Sequence, residues 1–255
     1  NDVEKILTSY GEPFMDSSAI PSFYISQEAK KYVTVVLNGD GADELFGGYR
    51  RYVPIANKWI NYAKYFTFLT SIMPISNNKQ SNYNYLYRLL SMSDKSGLEF
   101  YLSATTDIFE DIYSFNSNRI IESMDNYVEN IYRLDLTELS KMLILDANLI
   151  LPSDLLKKMD IATMSNSLEG RSPFLSKYML EWAPKISDKH KIQGTKTKNI
   201  LRELALKYSL TEVYNQPKKG FEVPLKKWVD GEIKENIFDS LGPSSYSKSY
   251  VDSNF

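Results

Sequence analysis

The chain has 255 residues, a formal net charge of −2, 43% hydrophobic and 24% charged residues, and no cysteine. That size suffices for a full hydrophobic core, and the composition is that of a globular protein. It excludes the basic field of a nucleic-acid binder, a disulfide framework and a cysteine nucleophile, and no apolar run reaches the roughly 18 to 20 residues of a membrane span.

His190 is the only histidine, so a His-rich metal site is excluded as well. Chemistry falls to carboxylates, Lys, Arg, Tyr and backbone amides, which suits nucleotide and phosphate work. The opening Asn1-Asp2-Val3-Glu4 has no starting Met and no signal-like segment, and reads as a fragment of a longer protein.

In chain order, residues 17–32 read as an amphipathic helix capped by Ser17 or Ser18. Tyr32 to Leu37 is a β-branched run with the look of a buried parallel strand. It ends in Asn38-Gly39-Asp40-Gly41-Ala42-Asp43-Glu44, then Leu45-Phe46-Gly47-Gly48-Tyr49. In α/β sheets such a turn at a strand's C-terminal end is where ligands bind. Beyond Tyr52 no second strand is expected. Residues 52–70 and 83–133 carry apolar side chains at helical spacing, and 74–82 is a loop by composition. Leu139, Met142, Leu143, Leu149 and Ile150 make one helix face, and Pro152-Ser153-Asp154 opens a helix that reaches Met164. Ile200, Leu201, Leu204 and Tyr208 make a further face, with Lys198, Arg202 and Lys207 outside it.

Three stretches could carry chemistry. In the first, Gly39 and Gly41 permit close backbone approach to a ligand, and carboxylates at 40, 43 and 44 are hard oxygen ligands suited to nucleotide-bound Mg²⁺. The plain alternative is a solvated acidic loop capping a helix. The second runs from Lys157 to Thr163-Met164 and on through Glu169-Gly170-Arg171-Ser172-Pro173-Phe174-Leu175. It suggests a partly buried ion network, which can hold a substrate or merely pin a loop. In the third, Gln216-Pro217-Lys218-Lys219-Gly220-Phe221-Glu222-Val223-Pro224, a lysine held between Pro and Gly can neutralise a phosphate. The alternative is an exposed basic turn. Asp16-Ser17-Ser18 looks like the end of a pyrophosphate loop but has no glycine pair and no preceding strand, so it reads as a helix start. His190 reads as a solvated loop residue.

Taken together and in this order, these stretches resemble the synthetase domain of glutamine-hydrolysing asparagine synthetases over roughly residues 10 to 230. Glu12-Pro13-Phe14, Asp16, Ser18-Ala19 and Pro21 join Gly39 to Tyr49, Leu151 to Asp160, Glu169 to Leu175 and Pro217 to Pro224 in that pattern. Asn38, Ser176 and Gln216 stand where the family usually has Ser, Asp and Arg.

The resemblance implies an α/β fold of the adenine-nucleotide hydrolase-like (HUP, Rossmann-like) ATP-pyrophosphatase type, predominantly helical after the first strand. Residues 1–52 would form the nucleotide corner, 53–240 a helical region and 241–255 a poorly ordered tail. It implies ATP and Mg²⁺, aspartate as substrate, adenylation of its side-chain carboxylate, and displacement of AMP by ammonia from glutamine. Gly39 and Gly41 would meet the nucleotide, Asp43 the metal, and Lys218 the α-phosphate. Asp40, Glu169 and Arg171 would lie near the reacting carboxylate, with Lys218, Glu169 and Asp40 as the catalytic set. The family's N-terminal glutaminase domain and Ser-Gly-Gly-x-Asp-Ser-Ser loop do not occur in these residues, so the fragment alone is expected to be inactive. A cytoplasmic location follows from the same resemblance, which also admits a homodimer. Two alternatives keep different acceptors or none. One is a related amidotransferase acting on a sugar acid or another carboxylate, or a β-lactam synthetase relative; the other is a non-catalytic helical interaction domain. A substrate screen and a nucleotide-binding assay separate them.

Overall fold

A computed structural model describes residues 2–12, 14, 16–74, 81–105, 118–215, 223, 225–231 and 234. The tail at 241–255, residues 75–80 of the expected loop, and Lys218 with its neighbours 216–222 lie outside the described residues. The chain divides into two compact units, residues 1–36, 158–169 and 218–255 in one and 37–157 with 170–217 in the other.

In the first unit, helices α1 (Asp2–Tyr10) and α2 (Ala19–Lys30) pack with α10 (Lys157–Met164). Ile6, Tyr10, Ala19, Phe23 and Ala162 bury one another, with Phe14, Ile20 and Ile161 against them. Each fully buried aliphatic or aromatic side chain in such a cluster contributes about 1.5–3 kcal/mol.

The start of α2 corrects one expectation. Ser18 occupies the cap position but its side chain caps nothing. The accepting group is Asp16, which takes the Ser18 amide and hydroxyl, both at 2.8 Å, and the Lys158 ammonium. A carboxylate two residues earlier thus ties the helix start to α10, which a serine hydroxyl could not do. Burial pushes the Asp16 carboxyl up, but the bonds from Lys158 and Ser18 outweigh it and hold it below its ordinary value.

The second unit is helical around one large core. Helices α4 (Tyr52–Ala56), α5 (Ile60–Ala63), α6 (Asn82–Met92), α7 (Gly97–Thr105), α8 (Asn118–Tyr132) and α9 (Glu138–Asn148) surround it. Its buried members include Tyr52, Tyr101, Val128, Leu139, Met142 and Leu145. Two of these helices start at side-chain caps: Ser81 Oγ accepts from the Asn84 amide at 3.0 Å and Thr137 Oγ1 from Ser140 at 3.1 Å. Such a cap contributes about 1 kcal/mol. Leu139, Met142 and Leu143 are buried as the helical spacing predicts, and Leu149 and Ile150 pack partly buried beside them. A π-helical turn, Leu151–Leu156, leads into α10, so the expected helix from Pro152 to Met164 is present with a wider first turn. A smaller cluster of Leu45, Phe46 and Ala183 lies between α3 (Ala42–Phe46), α11 (Lys177–Trp182) and α13 (Asn199–Lys207).

The strand expectations need two corrections. β1 (Val35–Leu37) pairs in parallel with a second strand, β2 (Glu169–Arg171). Glu-Gly-Arg carries no β-branched or aromatic residue, so composition gave no strand signal; the backbone pairing defines it. The bonds are Glu169 N to Thr34 O and Asn38 N to Arg171 O, both 2.9 Å. Nor is β1 buried: Val35 is 38% and Leu37 73% exposed. Among the described residues the sheet has two strands, so β1 has a neighbour there on one edge, and that neighbour has little apolar surface to offer.

Two smaller readings change as well. His190 is exposed, as expected, but sits in the last turn of the short helix α12 (Asp188–Lys191) rather than in a loop. On α13, Ile200 and Leu201 face the core, while Leu204 and Tyr208 are 47% and 67% exposed. Among the described residues no helix is long and apolar enough to cross a membrane.

Candidate active site

The acidic turn leaves the C-terminal end of β1 and enters α3. Asn38 anchors its first residue. Its amide donates to the Arg171 carbonyl, and its side-chain oxygen accepts from the Ser172 hydroxyl and, at 3.4 Å, from the Asp40 amide. Asn38, one of the three departures from the resembled pattern, thus has a definite structural part. Among the described residues, a Cβ placed on Gly39 would meet no atom within 4 Å, so they leave the turn open there to an incoming group. Gly41 is different: its φ of +85° is the left-handed region, and a Cβ there would overlap Leu175. Asp40 is half-buried between the two glycines.

Asp43 stands in the first turn of α3, half-buried, with Oδ1 at 3.0 Å from the Lys198 ammonium. Gly48 makes that pairing possible. A Cβ at Gly48 would fall inside the Asp43 carboxylate and against Lys198 Cε. Gly48→Ala is therefore expected to cost about 1–3 kcal/mol through overpacking and to part the two side chains. Urea unfolding checks it, and a cost below about 0.5 kcal/mol would show that the pair yields freely.

Glu44, next in sequence, points the other way, into the protein, and is 1% exposed. Tyr49 donates its hydroxyl to Glu44 Oε1, while among the described residues Oε2 has no hydrogen-bond partner. Burial raises the Glu44 carboxyl above its ordinary value; the Tyr49 bond pulls back, and Asp43 and Asp146 push in the same direction as burial. A carboxyl raised in the folded state imposes no penalty below its unfolded value near 4.3, and an increasing one as pH rises above it. Glu44→Gln keeps the acceptor for Tyr49 and removes the charge. The variant is expected to match the parent near pH 4 and to exceed it in stability at pH 7. Thermal melts at the two pH values decide it; a variant less stable than the parent at both would refute the assignment.

Behind Glu44 lies Asp146, fully buried on α9. It accepts from Arg51 Nη2 at 2.6 Å, from Tyr52 OH, and from Tyr101 OH at 3.1 Å. The Arg51 guanidinium also lies 4.1 Å from the Tyr49 ring centroid. The wall of the turn is thus a buried, charge-compensated network.

The structure brings Gly39, Asp40, Gly41 and Asp43 together on one turn. Glu169 and Arg171 lie on β2 and are exposed, so the partial burial expected of this stretch is found at Lys158, which pairs with Asp16, and not at these two residues. Lys218 lies outside the described residues. Sequence reasoning missed Lys198, placing it outside a helix face although it reaches Asp43. It also missed Ser172 and the Tyr49–Glu44 pair. The Gly47-Gly48 doublet was the one available signal that something passes close to this turn.

A small parallel sheet with an acidic, glycine-rich turn at a strand end, followed by a helical body, is the architecture of a mostly helical α/β domain. The sequence model of the asparagine synthase family matches residues 1–255. Asparagine synthetase [glutamine-hydrolyzing] 1 of Bacillus subtilis is 33% identical over 277 residues, covering 98% of this chain and 41% of that protein. A Mycobacterium tuberculosis protein that provisionally carries the name asparagine synthetase [glutamine-hydrolyzing] is 31% identical over 247 residues, 91% of this chain and 36% of its own length. A shorter match, 32% over 98 residues, covers 32% of this chain and 14% of amidase chyE of Penicillium rubens. No solved structure matches. This chain belongs to the asparagine synthase family. It spans less than half the length of these relatives.

Proposed function

We propose that this chain supplies the ATP-using part of an amidotransferase that activates the side-chain carboxylate of aspartate as an acyl-adenylate. Ammonia drawn from glutamine then displaces AMP and leaves asparagine. The observation that carries the reading is the turn at 39–43, open at Gly39 and flanked by the half-buried carboxylates of Asp40 and Asp43. Family membership supports the chemistry.

Adenylation requires little covalent work from a protein. It requires that the carboxylate oxygen be held in line with the α-phosphorus and that the charge of the departing pyrophosphate be neutralised. In this reading the Gly39 and Gly41 backbone lies along the nucleotide. Asp40 sits near the reacting carboxylate and the incoming ammonia, and Glu169 and Arg171 orient the substrate. Lys218 meets the α-phosphate.

The donor set fits Mg²⁺ in one specific way. Among the described residues no group of three or more candidate ligands converges. Mg²⁺ on a nucleotide takes one or two carboxylates and completes its shell with phosphate oxygens and water, so a single carboxylate such as Asp43 is an adequate protein share. When bound, the ion neutralises phosphate charge.

Pyrophosphate release by the intact protein, with ATP, ammonia and a panel of carboxylates, tests the proposal. Release that depends on aspartate is expected. Release that depends instead on a sugar acid would transfer the chemistry to another acceptor, and no carboxylate-dependent release would end the reading.

A further inference from the structure

We propose that Lys198 is the resident counter-ion of the Asp43 carboxylate and that a divalent cation loading on Asp43 displaces it. The inference rests on Asp43 as the metal carboxylate and adds the residue that controls access to it.

Three observations carry it. Lys198 Nζ lies 3.0 Å from Asp43 Oδ1, with the two side chains only 27% and 23% exposed. A partly exposed pair of this kind is screened less than a fully exposed one. The backbone at Lys198 is left-handed, φ +52°, which a residue with a Cβ adopts at a cost; its amide donates to the Gly47 carbonyl at 3.3 Å. The strained start of α13 is thus pinned to the very loop that follows α3. Gly48, finally, leaves room for the lysine stem beside Asp43, since a Cβ there would overlap both Asp43 Oδ1 and Lys198 Cε.

The physics of exchange follows. An ammonium is a compact single charge on a flexible four-carbon stem, so it can leave one oxygen without moving the backbone. A divalent ion held by the Asp43 carboxylate would take over the charge that the ammonium now neutralises and would repel the ammonium. Lys198 therefore holds the Asp43 carboxylate in place before loading, and competes with the metal during it. Lys198 is a positioning residue in this scheme, acting through Asp43.

The test is Mn²⁺ binding without nucleotide, followed by the electron paramagnetic resonance of free Mn²⁺, on the intact protein and its variants. Lys198→Met is expected to bind Mn²⁺ about tenfold more tightly than the parent, because the competing cation is gone. Lys198→Arg should behave as the parent, since it restores the cation. Equal or weaker binding in Lys198→Met, with an unchanged circular dichroism spectrum, overturns the exchange. Lys198→Gln, which keeps a hydrogen-bond donor for Asp43, serves the same comparison should the methionine variant fold poorly. Adding Asp43→Asn to Lys198→Met should abolish the gain. Tightening that survives this second change would place the ion elsewhere, overturning the exchange and, with it, the Asp43 assignment on which it rests.

Discussion

The Asp43→Asn variant of the intact protein is expected to release pyrophosphate at least about 100-fold more slowly than the parent while keeping its fold. Asparagine preserves the volume and one oxygen, so the first turn of α3 keeps its shape. The charge is lost, and with it the proposed protein ligand for nucleotide-bound Mg²⁺. Stability should move little. The Asp43–Lys198 pair is partly solvated, and pairs of this kind contribute at most about 1 kcal/mol. For a chain of this size that corresponds to a melting shift of a few degrees, about 2–4 °C. Turnover and a thermal melt on one preparation separate the two effects. Near-normal turnover would remove Asp43 from the site; a collapse of the melt would make it a structural residue.

Asp146 is expected to behave in the opposite way. Its carboxylate has no exposure and receives Arg51, Tyr52 and Tyr101. Asp146→Ala leaves the Arg51 guanidinium buried and uncompensated, with two tyrosine hydroxyls seeking acceptors. Breaking one side of a buried pair costs about 3–5 kcal/mol, a large fraction of the 5–15 kcal/mol that holds a typical domain together. Urea unfolding should therefore show a sharply lowered midpoint at unchanged slope. A loss below about 1 kcal/mol would mean that water reaches the network and replaces the carboxylate. The double replacement of Arg51 and Asp146 by apolar residues is expected to recover part of the loss, since the uncompensated charge is then gone.

The helical body was legible because apolar residues recur at helical spacing: Leu139, Met142 and Leu143 are buried as that pattern requires. The second strand was not. Its pairing with β1 is a relation between distant segments, and Glu169-Gly170-Arg171 has no local preference for extended structure. Burial of β1 was overread for a related reason. A β-branched run signals a strand, but exposure depends on what the fold lays over it, and Leu37 is 73% exposed. At the site, Gly39 and Gly41 were legible as a turn, since positive φ and open approach are local properties. Lys198 was not. It lies in Thr195-Lys196-Thr197-Lys198-Asn199, which reads as solvated surface, and its meeting with Asp43 depends on α13 and α3 packing together. Glu44 shows the same limit: among three acidic residues in a row of five, the sequence does not say which one turns inward. Asp16 joined to Lys158 is a third case, a helix start whose partner comes from a helix far along the chain.

Oxygen-isotope transfer decides whether the aspartate carboxylate is adenylated. Aspartate labelled with ¹⁸O in its side-chain carboxylate is incubated with ATP, Mg²⁺ and ammonia on the intact protein, and the nucleotide product is weighed by mass spectrometry. If the carboxylate attacks the α-phosphorus, ammonia's displacement leaves one labelled oxygen in AMP. AMP without label, or ADP in its place, would contradict adenylation of the carboxylate and the reading of this site.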